Sequence, residues 1–216
     1  MSAPTTPTYH HADPYKERNV DNTNLSDKVV ALTTFIQTHK YGMLTTRNAN
    51  SGMLMSRCMA LAGTENNGAD LLFHTNTDSG KMSDLASDPH VNVSFMDAEG
   101  EWASLSGMVE MLGRDAVKKL YATELRAWMG DLGDGECDGG PDDLRLGVIR
   151  VTVLTARYSV LRAERGRQVE EGVKTGKTPC VVRLREIGKE EVEEWRRGKR
   201  GQRRVGCAGE VLDESL

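Results

Sequence analysis

The sequence contains few aromatic residues, few cysteines and no long apolar run. Aromatic side chains make up 5% of its 216 residues, so the position of each tryptophan is informative. The four cysteines, Cys58, Cys137, Cys180 and Cys207, form neither a close pair of metal ligands nor the framework of a small secreted domain. Reduced thiols in a cytoplasmic protein are therefore expected. Because the N-terminus holds no apolar run, neither a signal peptide nor a membrane span is predicted.

No single sign of charge dominates either. The formal net charge is −4, which gives no support for nucleic acid as a partner. The acidic, glycine-rich residues 131–143 match half of a calcium-binding loop, but Arg145 stands where the closing bidentate glutamate belongs. The histidines and cysteines show no convergent ligand spacing, so no metal is predicted.

The order of predicted elements is that of one domain with two loose ends. Residues 1–24 are rich in proline, threonine and asparagine, which predicts a flexible N-terminal arm. A helix is predicted from Ser26, its N-cap, to a point before Gly42. A second helix is predicted over residues 115–128. Strands are predicted over residues 43–46, 54–61, 71–75, 91–96, 102–111, 146–154 and 156–161.

Many short strands joined by hairpin turns, with few helices, favour a mainly β (α+β) fold closed into an antiparallel barrel. The pattern alone leaves a split barrel, an OB-like barrel and a lipocalin-like barrel open. The barrel domain is placed at residues 25–163, and a charged C-terminal extension at residues 164–216. Within the extension, residues 179–184 can form a strand and residues 188–195 a helix. The basic run at residues 196–204 is interpreted as a solvated tail rather than an interaction site.

A strand-to-helix junction carries the most specific chemistry. Residues 73–81, Phe-His-Thr-Asn-Thr-Asp-Ser-Gly-Lys, end an apolar strand and open a helical pattern. The hydroxyls of Thr75 and Ser79, the ammonium of Lys81 and the N–H groups of a helix start suit a phosphate group. Arg57 lies inside an otherwise apolar strand and needs an anion, because a buried unpaired charge is costly. That anion is either a phosphate or a surface carboxylate, and the neighbouring Thr/Ser/Lys turn favours the phosphate.

Several motifs, in their order along the chain, resemble those of one family. They are Ser56-Arg57-x-Met59, Phe73-x-Thr75-Asn76-x-x-Ser79-x-Lys81, Val91-x-Val93-x-Phe95 and Trp102-Ala-Ser-Leu-Ser-Gly107. Together they resemble the pyridoxamine 5'-phosphate oxidase-like FMN-binding split barrels, in the general stress protein branch, and are similar to fungal blue-light-inducible proteins. The resemblance implies a six- to seven-stranded antiparallel split β-barrel with flanking helices. It also implies a homodimer that binds FMN at its interface.

The resemblance assigns roles to particular residues around the FMN phosphate. Arg57 and Lys81 would neutralise its charge. Ser79 and the backbone of Thr75 and Asn76 would complete its hydrogen bonds.

Other residues would lie near the flavin ring. The main chain around Cys58 and Met59 would run beside the flavin edge, Trp102 would lie near the cofactor, and Trp128 would approach from the other subunit. Two positions depart from the family pattern, because Cys58 stands where relatives often have proline and Tyr158 where they often have tryptophan. A second anion site, as a true pyridoxamine phosphate oxidase needs for its substrate, has no counterpart in the sequence.

Three functions remain open at this point. The chain is an FMN-binding protein with weak redox activity at most, or a flavin-dependent oxidoreductase acting on a small molecule with a nicotinamide as electron donor. The third is a flavin-free interaction protein that uses its dimer surface and basic tail. Whether it is an enzyme is not decided by the sequence, because no acid or base has a forced geometry and no catalytic residue is identified.

Overall fold

A computed structural model describes residues 23–160 and 184–198 of the chain. The described helices are α1 Leu25–Gln37, α2 Lys81–Ser87, α3 Arg114–Leu120, α4 Glu124–Met129 and α5 Lys189–Arg197. The described strands are β1 Tyr41–Arg47, β2 Leu54–Glu65, β3 Asp70–Asn76, β4 His90–Met96, β5 Trp102–Met111, β6 Leu146–Ser159 and β7 Arg185–Ile187. A helix long and apolar enough to cross a membrane does not occur in these two ranges.

The first six strands form a closed antiparallel barrel. The strand order is β3-β2-β1-β4-β5-β6, and pairing of β3 with β6 closes the ring. Strand β7 pairs with residues 156–158, near the C-terminal end of β6, and so extends the sheet. At Gly107 a side chain has no room, because a Cβ there would lie 2.2 Å from the Thr152 carbonyl oxygen of β6. The predicted mainly β split barrel with flanking helices is confirmed.

Alternating side chains of the strands fill the barrel. Leu44, Phe73, Val93, Leu105 and Ile149 are fully buried and belong to the main hydrophobic cluster. Such alternation is what a sheet with one face in the core produces. A smaller cluster lies under helices α3 and α4; its buried members are Leu72, Val117, Leu125, Leu146 and Val148.

The second described segment, residues 184–198, is part of the main core. Ile187 of β7 and Val192 and Trp195 of α5 are buried in the same cluster as the barrel interior. The Trp195 indole N–H donates to the Asn67 carbonyl at 2.9 Å. A portion of the charged extension therefore packs on the barrel. The predicted boundary at residue 163 stays a prediction.

Several predicted element bounds differ from the structure. Helix α1 is capped by Asn24 rather than Ser26, because the Asn24 side chain accepts from the Asp27 N–H at 3.0 Å. The helix predicted over residues 115–128 is two helices, and the break includes Tyr121, whose hydroxyl donates to the Gly139 carbonyl.

Strand β6 is continuous where two strands were predicted. Its pairing with β5 shifts register between Val153 and Thr155, so a bulge takes up the irregularity without ending the strand. Most of the strand predicted over residues 179–184 lies outside the described residues, as do residues 199–204 of the basic run.

Candidate functional site

The split in the barrel lies between β2 and β3. Residues 54–60 of β2 pair with β1, but β2 pairs with β3 only from Leu61 onward. On the other side, residues 74–76 of β3 pair with β6 alone. Among the described strands, none pairs with this edge of β2, so its backbone N–H and C=O groups lack a strand partner there. Such backbone groups can form hydrogen bonds with the ring heteroatoms of a ligand.

Arg57 lies on this half of β2, opposite Leu44 of β1. Its guanidinium donates to the Thr46 hydroxyl at 2.7 Å and to the Asp84 carboxylate at 2.8 Å. The carboxylate predicted as an alternative anion is therefore present. It is a buried carboxylate, since the Asp84 side chain is 1% exposed, whereas the Arg57 side chain keeps 28% exposure.

Lys81 is the first residue of α2 and is 6% exposed. Its ammonium donates to the Ser79 hydroxyl at 2.6 Å, and that hydroxyl donates to the Asn76 carbonyl at 2.8 Å. Within the described ranges, no carboxylate lies within 4.0 Å of the Lys81 ammonium. Burial lowers the pKa of Lys81 below its ordinary value, and the nearby charge of Arg57 lowers it further.

The turn that precedes α2 is held by hydrogen bonds within itself and to residues 144–145. The Asn76 side chain accepts from the Asp78 N–H at 2.8 Å, and the Thr77 hydroxyl donates to the carbonyls of Leu144 and Arg145. Thr75 is fully buried at the end of β3. These contacts fix the backbone between β3 and α2, so the position of Lys81 does not depend on a mobile turn.

The predicted ring-side residues fall into a second group. Met59 points into the core, whereas Cys58 is exposed on the opposite face of β2, as alternation requires. Cys58 and Trp102 line one open cavity of about 350 Å³ on the outer face of the barrel. Trp128 is 59% exposed on α4 and lines neither this cavity nor the Arg57–Lys81 cluster.

Asp84 and Thr46 were missed by the sequence analysis. Asp84 stands three residues after Lys81 in the predicted helix, and the need of Arg57 for an anion is the sequence signal that points to it. The carboxylate also accepts from the Asn48 side chain and the Ala49 N–H, each at 3.0 Å. The Ala49 N–H, and then the Arg57 guanidinium, hold the pKa of Asp84 below its ordinary value.

The charges of the cluster are those that an anion site requires. The cluster combines two cations with one carboxylate, and Asp84 already compensates Arg57. The uncompensated positive charge is that of Lys81, which suits a phosphate monoester. A general base is harder to find. His74, the histidine nearest in sequence to the turn, has its Nε2 atom 2.9 Å from the Leu120 carbonyl.

A second buried ion pair holds the acidic loop. The Asp143 side chain is fully buried and lies 2.7 Å from the Arg145 guanidinium. Arg145 also donates to the Gly130 and Cys137 carbonyls. The hydrogen bonds that the Arg145 guanidinium donates to the Asp143 carboxylate lower the pKa of Asp143 to about 2. The pair therefore connects Gly130, Cys137 and Gly139 of this loop to the residues just before β6.

The match to known families agrees with these features. The family described as pyridoxamine 5'-phosphate oxidase like matches residues 27–177. The chain belongs to this family, as the order of its motifs predicted.

Three individual proteins are similar to this chain in sequence or in fold. The chain is 50% identical over 191 residues to Protein bli-3 of Neurospora crassa, covering 86% of this chain and 91% of that protein. A crystal structure of a Clostridium acetobutylicum protein related to general stress protein 26 is similar in fold. Its TM-score is 0.57 at 14% identity, over 79% of this chain and 99% of that one. A pyridoxamine 5'-phosphate oxidase-related, FMN binding protein of Nostoc punctiforme has a TM-score of 0.51 at 15% identity, covering 67% and 87%.

Proposed function

We propose that this protein binds FMN in the groove between β2 and β3, with the phosphate at Arg57 and Lys81. The observation that carries the proposal is Lys81, a buried cation whose ammonium has a hydroxyl partner but no carboxylate in the described chain. A buried charge without a counterion is costly unless a ligand supplies one. Ser79 and the backbone at residues 75–76 add donors and acceptors around the same position.

The ring of the flavin would then extend along the open edge of β2, past the backbone of Cys58 and Met59. Flavins carry the redox chemistry themselves, and the protein supplies binding and tuning. The residues present fit this division, because the groove offers a cation cluster at one end and exposed backbone beside it.

A second copy of the chain is proposed to complete the site. The outer face around the cavity exposes large apolar side chains, among them Tyr41 at 60%, Met43 at 40% and Met96 at 74%. An apolar patch of this kind is typical of a protein interface. We propose a homodimer in which this face is buried, with Trp102 near the flavin and Trp128 contributed by the partner chain.

An enzyme is the second candidate. The cavity beside Cys58 and Trp102 could admit a small molecule next to the ring, with a nicotinamide as electron donor. A catalytic site also needs groups that hold the substrate against the ring. Ser104 and Ser106, the polar neighbours of Trp102 on its face, both accept from the Asn92 amide. We therefore favour a binding function with slow turnover at most.

The cytoplasmic location stays a prediction from cysteine content.

The visible spectrum of the purified protein tests the main proposal. A yellow protein with stoichiometric FMN supports it, and a colourless one that does not take up added FMN contradicts it. The double variant Arg57→Ala/Lys81→Ala should lose copurified FMN while the barrel still folds. A double variant that retains stoichiometric FMN would refute the site.

The dimer and the enzyme alternatives need separate measurements. Sedimentation should give a homodimer, and Trp128→Ala should keep the dimer but bind FMN less tightly. A stable monomer with full flavin occupancy would exclude a two-chain site. Rapid, saturable reduction of bound FMN by a nicotinamide, or by pyridoxamine 5'-phosphate, in anaerobic stopped flow would favour the oxidoreductase.

A further inference from the structure

Asp84 joins the two halves of the proposed phosphate site. It lies on α2, one turn after Lys81, and reaches across to Arg57 on β2. One of its oxygens, Oδ1, accepts from the Asn48 side chain and the Ala49 N–H of the β1–β2 turn. The other, Oδ2, accepts from the Arg57 guanidinium at 2.8 Å and from the Thr46 hydroxyl at 3.4 Å.

Among the residues that the structure describes, the Arg57 guanidinium is therefore held on one edge. Its Nη1 donates to the Thr46 hydroxyl and its Nη2 to Asp84, while the side chain keeps 28% exposure. A guanidinium carries further N–H donors in a fixed plane, so fixing one edge also fixes the direction of the remaining donors.

We propose that Asp84 is a positioning residue, which sets the Arg57 guanidinium at a fixed place relative to Lys81 and thereby makes the site prefer flavins that carry a phosphate. This inference rests on the proposed function. The ligand class is a flavin 5'-phosphate, and the discriminated competitor is the same ring without phosphate. Both Asp84 oxygens already accept hydrogen bonds from the protein, so its effect on a flavin would be exerted through Arg57.

An opposite role for the same carboxylate makes an opposite prediction. If Asp84 mainly competed with the phosphate for Arg57, removing its charge would tighten FMN binding. The positioning role is favoured because Asp84 and Thr46 act together on one edge of the guanidinium, and the uncompensated charge of Lys81 remains for the phosphate.

Two variants separate positioning from charge. Asp84→Asn has the same shape and can keep an oxygen toward the Asn48–Ala49 turn, but it turns an N–H donor toward Arg57. Thr46→Val keeps the shape and the Asp84 charge, and removes the hydroxyl that holds Arg57. Asp88→Asn is the matched control, since Asp88 follows the end of α2 and its ion pairs are with Arg47 and His90.

The measurement is the dissociation constant of FMN and of riboflavin for each apoprotein, at one pH and ionic strength. Asp84→Asn should weaken FMN by at least about tenfold. Thr46→Val should weaken it by about three- to tenfold. For these two variants, the dissociation constant of riboflavin should stay within about twofold of the wild-type value. For Asp88→Asn, the dissociation constants of FMN and of riboflavin should both stay within about twofold of wild type.

Each other result overturns the inference. Equal weakening of FMN and riboflavin would show a purely structural role, and tighter FMN binding by Asp84→Asn would show competition. If Asp84→Asn does not fold, Thr46→Val decides: unchanged FMN binding refutes positioning, and selective weakening supports it. Wild-type protein that binds neither flavin would instead refute the proposed function, so the two failures are distinguishable.

Discussion

Replacing Lys81 by methionine should weaken FMN binding without destabilising the protein. Methionine keeps the length of the apolar stem and removes the ammonium. In the described chain that ammonium has Ser79 as its partner and no carboxylate within 4.0 Å. Burial and Arg57 both lower the pKa of Lys81, so the folded protein without ligand holds this charge at a cost. The melting temperature of the Lys81→Met apoprotein should equal or exceed that of the wild type.

The loss in affinity follows from the contact that the ammonium would make. A hydrogen bond to a charged group contributes about 1.5–3 kcal/mol, so losing it should raise the Kd for FMN roughly 10- to 150-fold. Arg57→Ala should also weaken FMN binding, but it should lower stability as well. It leaves the buried Asp84 carboxylate without its cation.

Two measurements on the same samples test this contrast. Quenching of FMN fluorescence gives the Kd, and circular dichroism of the apoprotein gives the melting temperature. Lys118→Met is the control, because Lys118 pairs with Asp142 on the surface. Unchanged FMN affinity in Lys81→Met would refute the phosphate site. A fall of several degrees in its melting temperature would show that Lys81 is a structural residue.

Other parts of the molecule give further predictions. FMN affinity should fall as pH rises through the lowered pKa of Lys81, and Lys81→Arg should remove that decline in titrations at increasing pH. The pKa of Asp143 falls from 3.8 to about 2 on folding, so its stabilising effect is complete above the higher value. The stability difference between wild type and Asp143→Asn in urea should therefore shrink as pH falls through this range. Trp195→Ala should lower the free energy of unfolding by about 3–5 kcal/mol, whereas removing residues 1–20 and 199–216 should leave it nearly unchanged.

The barrel was predictable because its strands repeat a simple pattern. Strand β5 has the predicted bounds, Trp102–Met111, since alternating residues mark its two faces. Most other observed strand bounds differ from the predicted ones by one to four residues. Turn residues show that a strand ends nearby, but they do not determine which residue forms its last hydrogen-bonded pair. Neither β7 nor the broken α3–α4 segment was predicted: a three-residue strand has no period, and the break depends on a contact with Gly139.

The cation cluster was partly predictable for a different reason. Arg57 and Lys81 each stand out locally, one as a charge in an apolar strand and one at a strand-to-helix junction. The carboxylate that pairs with Arg57 lies 27 residues away, and several other carboxylates in the chain could have served equally well by composition. Only the packing of α2 against the end of β1 selects Asp84, because Thr46 and Asn48 bind the same carboxylate.

The two cations, Arg57 and Lys81, thus differ in the source of their counterion. Arg57 has its counterion within the fold, so the groove can form before any ligand arrives. Lys81 has no carboxylate partner among residues 23–160 and 184–198, and the proposed phosphate would supply its counterion on binding. A ligand that binds the native state alone raises stability by RT ln(1 + [L]/Kd), so FMN should stabilise wild type strongly and Lys81→Met weakly at the same concentration. The apoprotein should also fold without flavin, because the buried carboxylate at the site, Asp84, is already paired with Arg57.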